Sequence, residues 1–215
     1  MSKGFEMTTR DKDSKRGARK AEKGASLIMV MIILTIVSMI GIAGIQISTM
    51  SERSARNDRD YQIAWQSSEA GLIDAENDLF GPGASSRRSV FGPTTNLAAF
   101  EEGCGTSGNT RGLCALKLTT GKPAWVSVNF ELDDNSAPTT KYGDYTGRTF
   151  TARGPGVQPA REPRYVMEPI PDTVGAGSES RKLGEEDPKY VFRVTSMGFG
   201  PRTDIQAVVQ MVYRR

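Results

Sequence analysis

The sequence predicts an α+β fold, in which one long N-terminal helix packs on a small antiparallel β-sheet. Two observations support this prediction. An uncharged apolar stretch begins at Ala25 and leads into a polar stretch with helical periodicity, and residues with strand-like alternation follow towards the C-terminus. With 215 residues, the chain has room for one globular domain besides the apolar stretch.

The apolar stretch is long enough to cross a membrane as a helix. Residues 25–51 carry no formal charge, and a spanning helix needs about 20 apolar residues. Basic residues crowd the segment just before it, which by the positive-inside rule keeps the N-terminus in the cytoplasm. We therefore expect a cytoplasmic leader at 1–24, a transmembrane helix at 25–51 and a C-terminal region outside the cytoplasm. The basic residues are Lys15, Arg16, Arg19, Lys20 and Lys23.

The positive charge of the chain is concentrated in this leader. The whole chain carries a net charge of +3, whereas residues 1–24 alone carry +4, so residues 25–215 carry −1. A surface that binds nucleic acid needs clustered basic residues to neutralise phosphates. The sequence therefore predicts no nucleic-acid partner.

The two ends of the apolar stretch differ in the residues at which a peptidase could cleave the chain. A secretory signal is cut after its apolar region, yet the small residues at 41–44 lie within a stretch that continues as helix. At the other end, Gly24 is followed directly by Ala25 and Ser26. An ordinary secretory signal is therefore disfavoured, and a single-pass anchor with an incidental glycine at position 24 stays open.

Residues 52–80 are predicted to continue the helix as an amphipathic segment. Apolar and small residues recur at intervals of four and three, which places them on one helix face. We expect this stripe to pack on a sheet, with Trp65 and Trp125 under the helix rather than forming a ligand platform. The run ends at Gly81-Pro82-Gly83. The stripe comprises Tyr61, Trp65, Ser68, Leu72, Ala75 and Leu79.

Residues 81–215 are predicted to form a β-rich region that packs on residues 52–80. In "KPAWVSVNFEL", Val126, Val128, Phe130 and Leu132 alternate with more polar positions and indicate a strand. "RYVMEPI" indicates a second strand, between a long loop at 133–163 and a polar loop at 171–188. The C-terminal stretch predicts a hairpin with strands at 190–197 and 205–213.

The chain has two cysteines, Cys104 and Cys114, in a glycine-rich stretch. Two thiols without any histidine are too few for a structural zinc site. A disulfide is expected if the domain is exported, whereas two buried thiols would be expected in a reducing cytosol.

The sequence offers little to support an enzyme. It contains no histidine, and it has no nucleophile elbow, Walker A motif or Rossmann fingerprint. Asp133, Asp134 and Asn135 lie together, but the spacing of a known calcium loop is missing, so a solvated turn is favoured. We expect no catalytic residue, no metal and no cofactor.

Five segments in order resemble the PilX family of type IV pilus minor pilins. They are the Gly24 junction, "QSSEAGLIDAE", "GLCALKLTTGKPAW", "PRYVMEP" and "YVFRVTSMGFGPRTDIQAVVQMVYRR". The resemblance covers most of the chain and implies a type IV pilin-like fold. It also implies that prepilin peptidase cuts between Gly24 and Ala25, that Ala25 is N-methylated, and that the helix is retained as the filament core.

One position departs from the usual pilin pattern. Pilins typically carry Glu as the fifth residue after the cut, where this chain has Met29. In the family, that buried carboxylate is thought to pair with the amine of an adjacent subunit, which Met29 cannot do. Its absence is also seen in PilX-like proteins and in the tip pseudopilins of type II secretion. We therefore expect a subunit at the filament end.

The resemblance implies a minor pilin that primes pilus assembly in the inner membrane and then lies at or near the pilus tip, serving adhesion and twitching motility. Its expected partners are other minor pilins, the major pilin, prepilin peptidase and a large tip adhesin. Two rivals remain: a tip pseudopilin of a type II secretion system, which usually carries a larger inserted domain, and a single-pass membrane-anchored periplasmic domain.

Overall fold

A computed structural model describes residues 25–81, 87–91, 95–116, 122–150, 156–172 and 190–214. The predicted leader at 1–24 and nearly all of the polar loop predicted at 171–188 lie outside these residues. The chain divides into two compact units, residues 1–52 and residues 53–215. The sheet and its cores belong to the second unit.

The predicted long helix is confirmed as α1, which runs from Ala25 to Phe80 and contains 56 residues. No proline interrupts it, so each residue can contribute its N–H to the helical hydrogen bonds. At its C-terminal end the backbone N–H of Gly81 donates to the carbonyl of Asn77 at 2.7 Å. Helix α1 thus ends where the sequence predicts, at the glycine-proline segment.

The described sheet has four strands in the order β1-β2-β3-β4, and all neighbours are antiparallel. The predicted strand near residue 165 is confirmed as β2, and the C-terminal hairpin is confirmed as β3 and β4. Strand β1 is a short addition within the stretch predicted as a long loop, where it pairs with the start of β2. The bounds are β1 Thr140–Lys141, β2 Arg164–Pro171, β3 Tyr190–Phe199 and β4 Gln206–Tyr213.

Both faces of the sheet carry a hydrophobic core. Residues alternate between the faces along each strand, so Tyr165 and Met167 of β2 contact α1 while Val166 points to the other side. The helix-side core includes Leu72 and Leu79. The outer core contains the cysteines and Phe130 together with Val166. Burial on both faces explains why the central strands are largely apolar.

Helix α1 approaches β3 closely because both elements carry small residues at the contact. A Cβ atom added to Gly198 would lie 2.2 Å from the backbone nitrogen of Ser68 and 2.3 Å from the carbonyl oxygen of Ala64. The Ser68 hydroxyl donates to the carbonyl of Ser196 at 2.7 Å. Strand β3 runs antiparallel to this part of α1, since Gly198 lies near Ala64 and Ser196 near Gly71.

The prediction of a strand in "KPAWVSVNFEL" is wrong. Residues Ala124–Ser127 form a 3-10 turn that follows Pro123. The backbone N–H of Ala124 donates to the buried carboxylate of Glu168 on the outer face of the sheet. This segment therefore covers the sheet instead of pairing with an edge, and Phe130 is buried while Val126 is exposed.

The predicted apolar stripe of α1 is only partly correct. Leu72 and Leu79 are buried in the helix-side core, but Tyr61 and Trp65 are 48% and 41% exposed. The contact face is instead continued by small residues such as Ala64, because β3 comes too close there to admit large side chains. Trp65 donates its indole N–H to Glu69 at 2.9 Å on the helix surface. Trp125 packs against the outer core, so neither tryptophan lies under the helix.

Candidate functional site

The first half of α1 is an apolar surface with no internal partner among the described residues. From residue 26 to residue 59 every side chain is exposed. The most apolar 18-residue window of α1 has a mean hydropathy of 2.7, and none of it is buried. An exposed apolar patch of this size marks contact with lipid or with other proteins. By length and composition this segment can cross a membrane.

This surface contains no ionisable group that would need a partner in lipid. Residues 25–51 contain no acidic or basic residue, and Met29 is exposed. The hydroxyl of Thr35 donates to the carbonyl of Met31 at 2.6 Å within the helix. Gly41 and Gly44 have open space where a Cβ would point. The segment can therefore exchange lipid for another apolar helix without burying an unpaired charge.

The second half of α1 holds a buried ion pair near its C-terminus. The side chains of Asp78 and Arg87 are both fully buried and form a salt bridge. The backbone N–H of Arg87 donates to Asp78 Oδ1 at 3.1 Å, and Arg87 Nε donates to Asp78 Oδ2 at 2.9 Å. Tyr165 also donates its hydroxyl to Asp78 Oδ2, at 3.3 Å. Burial, together with the charge of Asp78, holds the pKa of Tyr165 well above its usual value, so it stays a neutral donor.

Arg87 also connects several loops to the end of α1. Its Nη1 atom donates to the carbonyl of Arg111, and its guanidinium carbon lies 3.8 Å from the centroid of the Tyr145 ring. Its Nη2 atom lies 3.4 Å from the hydroxyl of Thr140 in β1. The planar guanidinium can satisfy several acceptors at once. Arg87 therefore joins α1, the cysteine loop and the edge of the sheet.

Asp74, one turn earlier on α1, receives two hydrogen bonds from the loop after β1. The backbone N–H of Gly143 donates to Oδ2 at 2.8 Å, and the hydroxyl of Thr146 donates to Oδ1 at 2.5 Å. Burial nevertheless raises the pKa of Asp74 above its ordinary 3.8, because the desolvation of the carboxylate outweighs these bonds.

We predict that Asp74→Asn changes the pH dependence of stability. The folded state binds the Asp74 proton more tightly than the unfolded state does. The contribution of Asp74 to the free energy of unfolding therefore declines as pH rises from about 3.8 through the raised pKa. An amide can accept from Gly143 and donate to the Thr146 oxygen, without a buried charge. Denaturant unfolding of the full chain in detergent should show Asp74→Asn at least as stable as wild type at pH 7.

The two proteins should differ less as pH falls through the raised pKa of Asp74, because the wild-type carboxyl then takes up a proton and its buried charge is removed. Asp58→Asn is the matched control, because Asp58 is exposed on the same helix; it should leave the pH profile unchanged. A loss of more than about 1 kcal/mol for Asp74→Asn at pH 7, the size of a net hydrogen bond, would contradict this account.

The predicted disulfide between Cys104 and Cys114 is present. It closes a loop in which the N–H of Gly112 donates to the carbonyl of Gly105 at 2.9 Å. The same loop pairs with the sheet, since the N–H of Met167 donates to the carbonyl of Gly112 at 2.8 Å. The disulfide loop is therefore an extension of the sheet beside β1.

No group of acidic or cysteine side chains that could hold a metal ion occurs among the described residues. At the candidate calcium turn, Asp133 forms salt bridges with Arg161 and Arg164. Although burial acts to raise it, these two arginines lower the pKa of Asp133. Asp134 accepts the backbone N–H of Ser136 at 2.8 Å, which is the geometry of a local turn. Asp133 is therefore engaged in ion pairs, and Asp134 in a local turn.

Two family models match the chain, and together they extend from residue 23 to residue 215. Residues 23–72 match the PilX N-terminal model. Residues 50–215 match the model for the C-terminal part of type IV pilus assembly protein PilX. No curated protein and no solved structure gives a significant match.

Proposed function

The chain belongs to the PilX family of type IV pilus assembly proteins, and we propose that it is a minor pilin that primes pilus assembly in the inner membrane and then lies at or near the pilus tip. In this role it supports adhesion and twitching motility as a structural subunit rather than an enzyme. The observation that carries the proposal is the apolar half of α1, which no described part of the chain covers.

The proposed mechanism is an exchange of surroundings for residues 25–51. Before assembly this segment crosses the inner membrane once, with its N-terminus in the cytoplasm and residues 53–215 in the periplasm. Prepilin peptidase removes residues 1–24, and the new N-terminus at Ala25 is methylated. The same apolar surface then packs against the helices of other minor pilins and the major pilin. Van der Waals contact between helices drives such packing, since lipid and helix surfaces are similarly apolar.

Met29 supports a place at the filament end. A carboxylate at this position would be costly in an apolar bundle unless an amine of a neighbouring subunit paired with it. A subunit with methionine can instead be buried on one side and leave no acid unpaired. In this position, the domain at 53–215 is available to hold a large tip adhesin. The disulfide agrees with a domain that folds in an oxidising compartment.

The proposal is tested by N-terminal sequencing and intact mass of the protein purified from membranes, with and without prepilin peptidase. We expect the mature chain to begin at methylated Ala25 when the peptidase is present and to retain its leader when it is absent. Deletion of the gene should sharply reduce surface pili, and immunogold labelling should place the protein at pilus ends.

Gly24→Ala tests the cleavage site, with Gly41→Ala as its control because it makes the same substitution within the retained helix. We expect Gly24→Ala alone to leave the leader uncut. If the protein from wild-type cells still began upstream of Ala25, or if deletion left pilus number unchanged, the proposed function would be wrong.

A further inference from the structure

Strand β4 forms an edge of the described sheet. It pairs with β3 on one side, and no described strand pairs with its other side. Its eight residues, Gln206–Tyr213, include no charged residue and no proline. Natural proteins normally protect such an edge with charges, prolines or very short strands. The β4 edge lacks these protections.

The hydrogen-bond pattern identifies the backbone groups on this edge. The backbone of Met167 in β2 bonds to residues 112 and 114, so it points away from β3. In an antiparallel ladder the backbone groups of successive residues point alternately to one neighbouring strand and to the other. Val194 lies opposite Met167, so its backbone N–H and C=O point to β4. Met211, the partner of Val194, therefore points back to β3. The groups left on the outer edge are those of Val208, Gln210 and Val212.

The opposite side of the sheet is closed. Strand β1 pairs with β2 at Tyr165, and the disulfide loop pairs with β2 at Met167. The next two positions of β2 that face this side are Pro169 and Pro171, which have no backbone N–H. A further strand is therefore disfavoured there, and β4 is the accessible edge of the described sheet.

We infer that the β4 edge binds an extended, uncharged segment of a different pilus component, which adds to the sheet as a further strand. Backbone N–H and C=O groups in a row are satisfied by another extended chain. Val208 and Val212 are exposed on the face away from α1, and Met211 is exposed on the α1 side, so they favour apolar side chains at the facing positions. This inference rests on the proposed function.

A second copy of this chain is disfavoured as the occupant. Strand β3 runs antiparallel to the helix at residues 53–80. Strand β4 is antiparallel to β3, so it runs in the same direction as this helix segment. Antiparallel pairing of two β4 edges would reverse residues 53–80 of one copy. Both copies, however, are joined to their membrane segments at the same end of residues 53–80, which favours a different chain.

Site-specific photo-crosslinking in pilus-producing cells tests the inference in the full chain. A photoreactive amino acid is placed at position 212 or, as the control, at position 126. Val212 and Val126 are both 55% exposed, but Val126 belongs to the 3-10 turn Ala124–Ser127 and not to β4. We expect position 212 to crosslink to another pilus component, identified by mass spectrometry, and position 126 to give little or no such product.

A second variant tests whether the backbone carries the contact. Val208→Pro removes one outward N–H and leaves the hydrogen bonds between β4 and β3 in place. We expect the crosslink from position 212 to fall roughly tenfold, the effect of a lost hydrogen bond that leaves its partner unpaired. Retained disulfide and protease resistance establish that the variant folds.

The inference is overturned if position 212 crosslinks to a second copy, to another part of the same chain or to no protein, or if folded Val208→Pro leaves the yield unchanged. In each case the mature N-terminus is determined in the same cells. A chain cut at Ala25 and found in pili, without the crosslink, refutes the edge contact alone. An uncut chain that never enters pili refutes the proposed function.

Discussion

Arg87→Met is expected to lower the free energy of unfolding by about 3–5 kcal/mol, because it leaves the carboxylate of Asp78 buried without its cation. Only the backbone N–H of residue 87 and the hydroxyl of Tyr165 would remain to bind that carboxylate. The carbonyl of Arg111 would also lose its donor. Since domains are stable by about 5–15 kcal/mol, this loss would be a large fraction of the total. Denaturant unfolding of the full chain in detergent, followed by circular dichroism, measures it.

Arg202→Met provides the control. Arg202 and Asp204 also form a salt bridge, but their side chains are 72% and 61% exposed, and exposed pairs contribute about 0–1 kcal/mol. Adding Asp78→Leu to Arg87→Met should recover part of the lost stability, since the unpaired charge is then removed. If Arg87→Met and Arg202→Met cost the same, the buried network does not hold the end of α1 in place.

Replacing both cysteines, as Cys104→Ser with Cys114→Ser, is expected to lower the free energy of unfolding by about 3 kcal/mol. A crosslink over so short a loop removes roughly this much chain entropy from the unfolded state. The loop also contributes the residues that pair with Met167 at the side of β2. Unfolding curves of the double variant and of the wild type with and without reductant measure the effect.

Reductant should bring the wild type to the stability of the double variant and should leave the variant itself unchanged. Arg87 and the disulfide loop meet at the carbonyl of Arg111. Combining Arg87→Met with the cysteine replacements should therefore cost less than the two losses added, because each change loosens the same loop. Fully additive losses would show that the loop and Arg87 act independently, and an unchanged stability of the reduced wild type would contradict the role of the crosslink.

The elements with strong local patterns were predictable from the sequence. Helix α1 is defined by an uncharged apolar run, by periodicity up to Leu79 and by the glycine and proline that follow. Strand β2 and the hairpin of β3 and β4 have strand-like composition. The prediction of the disulfide required only the two cysteines and the assumption that the domain is exported. These features depend on neighbours in the chain, so they can be recognised without the fold.

The errors occur where contacts between distant residues decide the structure. Val126 to Leu132 alternate like a strand, but Glu168, which is distant in sequence, binds the N–H of Ala124 and holds the segment across the outer face. Trp65 fits the helical stripe, but Gly198 brings β3 so close to α1 that only small residues lie between them. Neither Glu168 nor Gly198 carries a local signal of these contacts.

The sequence alone determined that the chain has an apolar helix long enough to cross a membrane, a polar continuation of it and a β-rich region with two cysteines close in sequence, because charge, periodicity and composition are local properties. Only the tertiary structure decided which carboxylates are buried, that Arg87 pairs with Asp78, and that β4 is an edge strand of the described sheet while prolines close the opposite side. Those outcomes depend on which strands and loops meet, and a long-range arrangement of this kind leaves no regular spacing in the sequence.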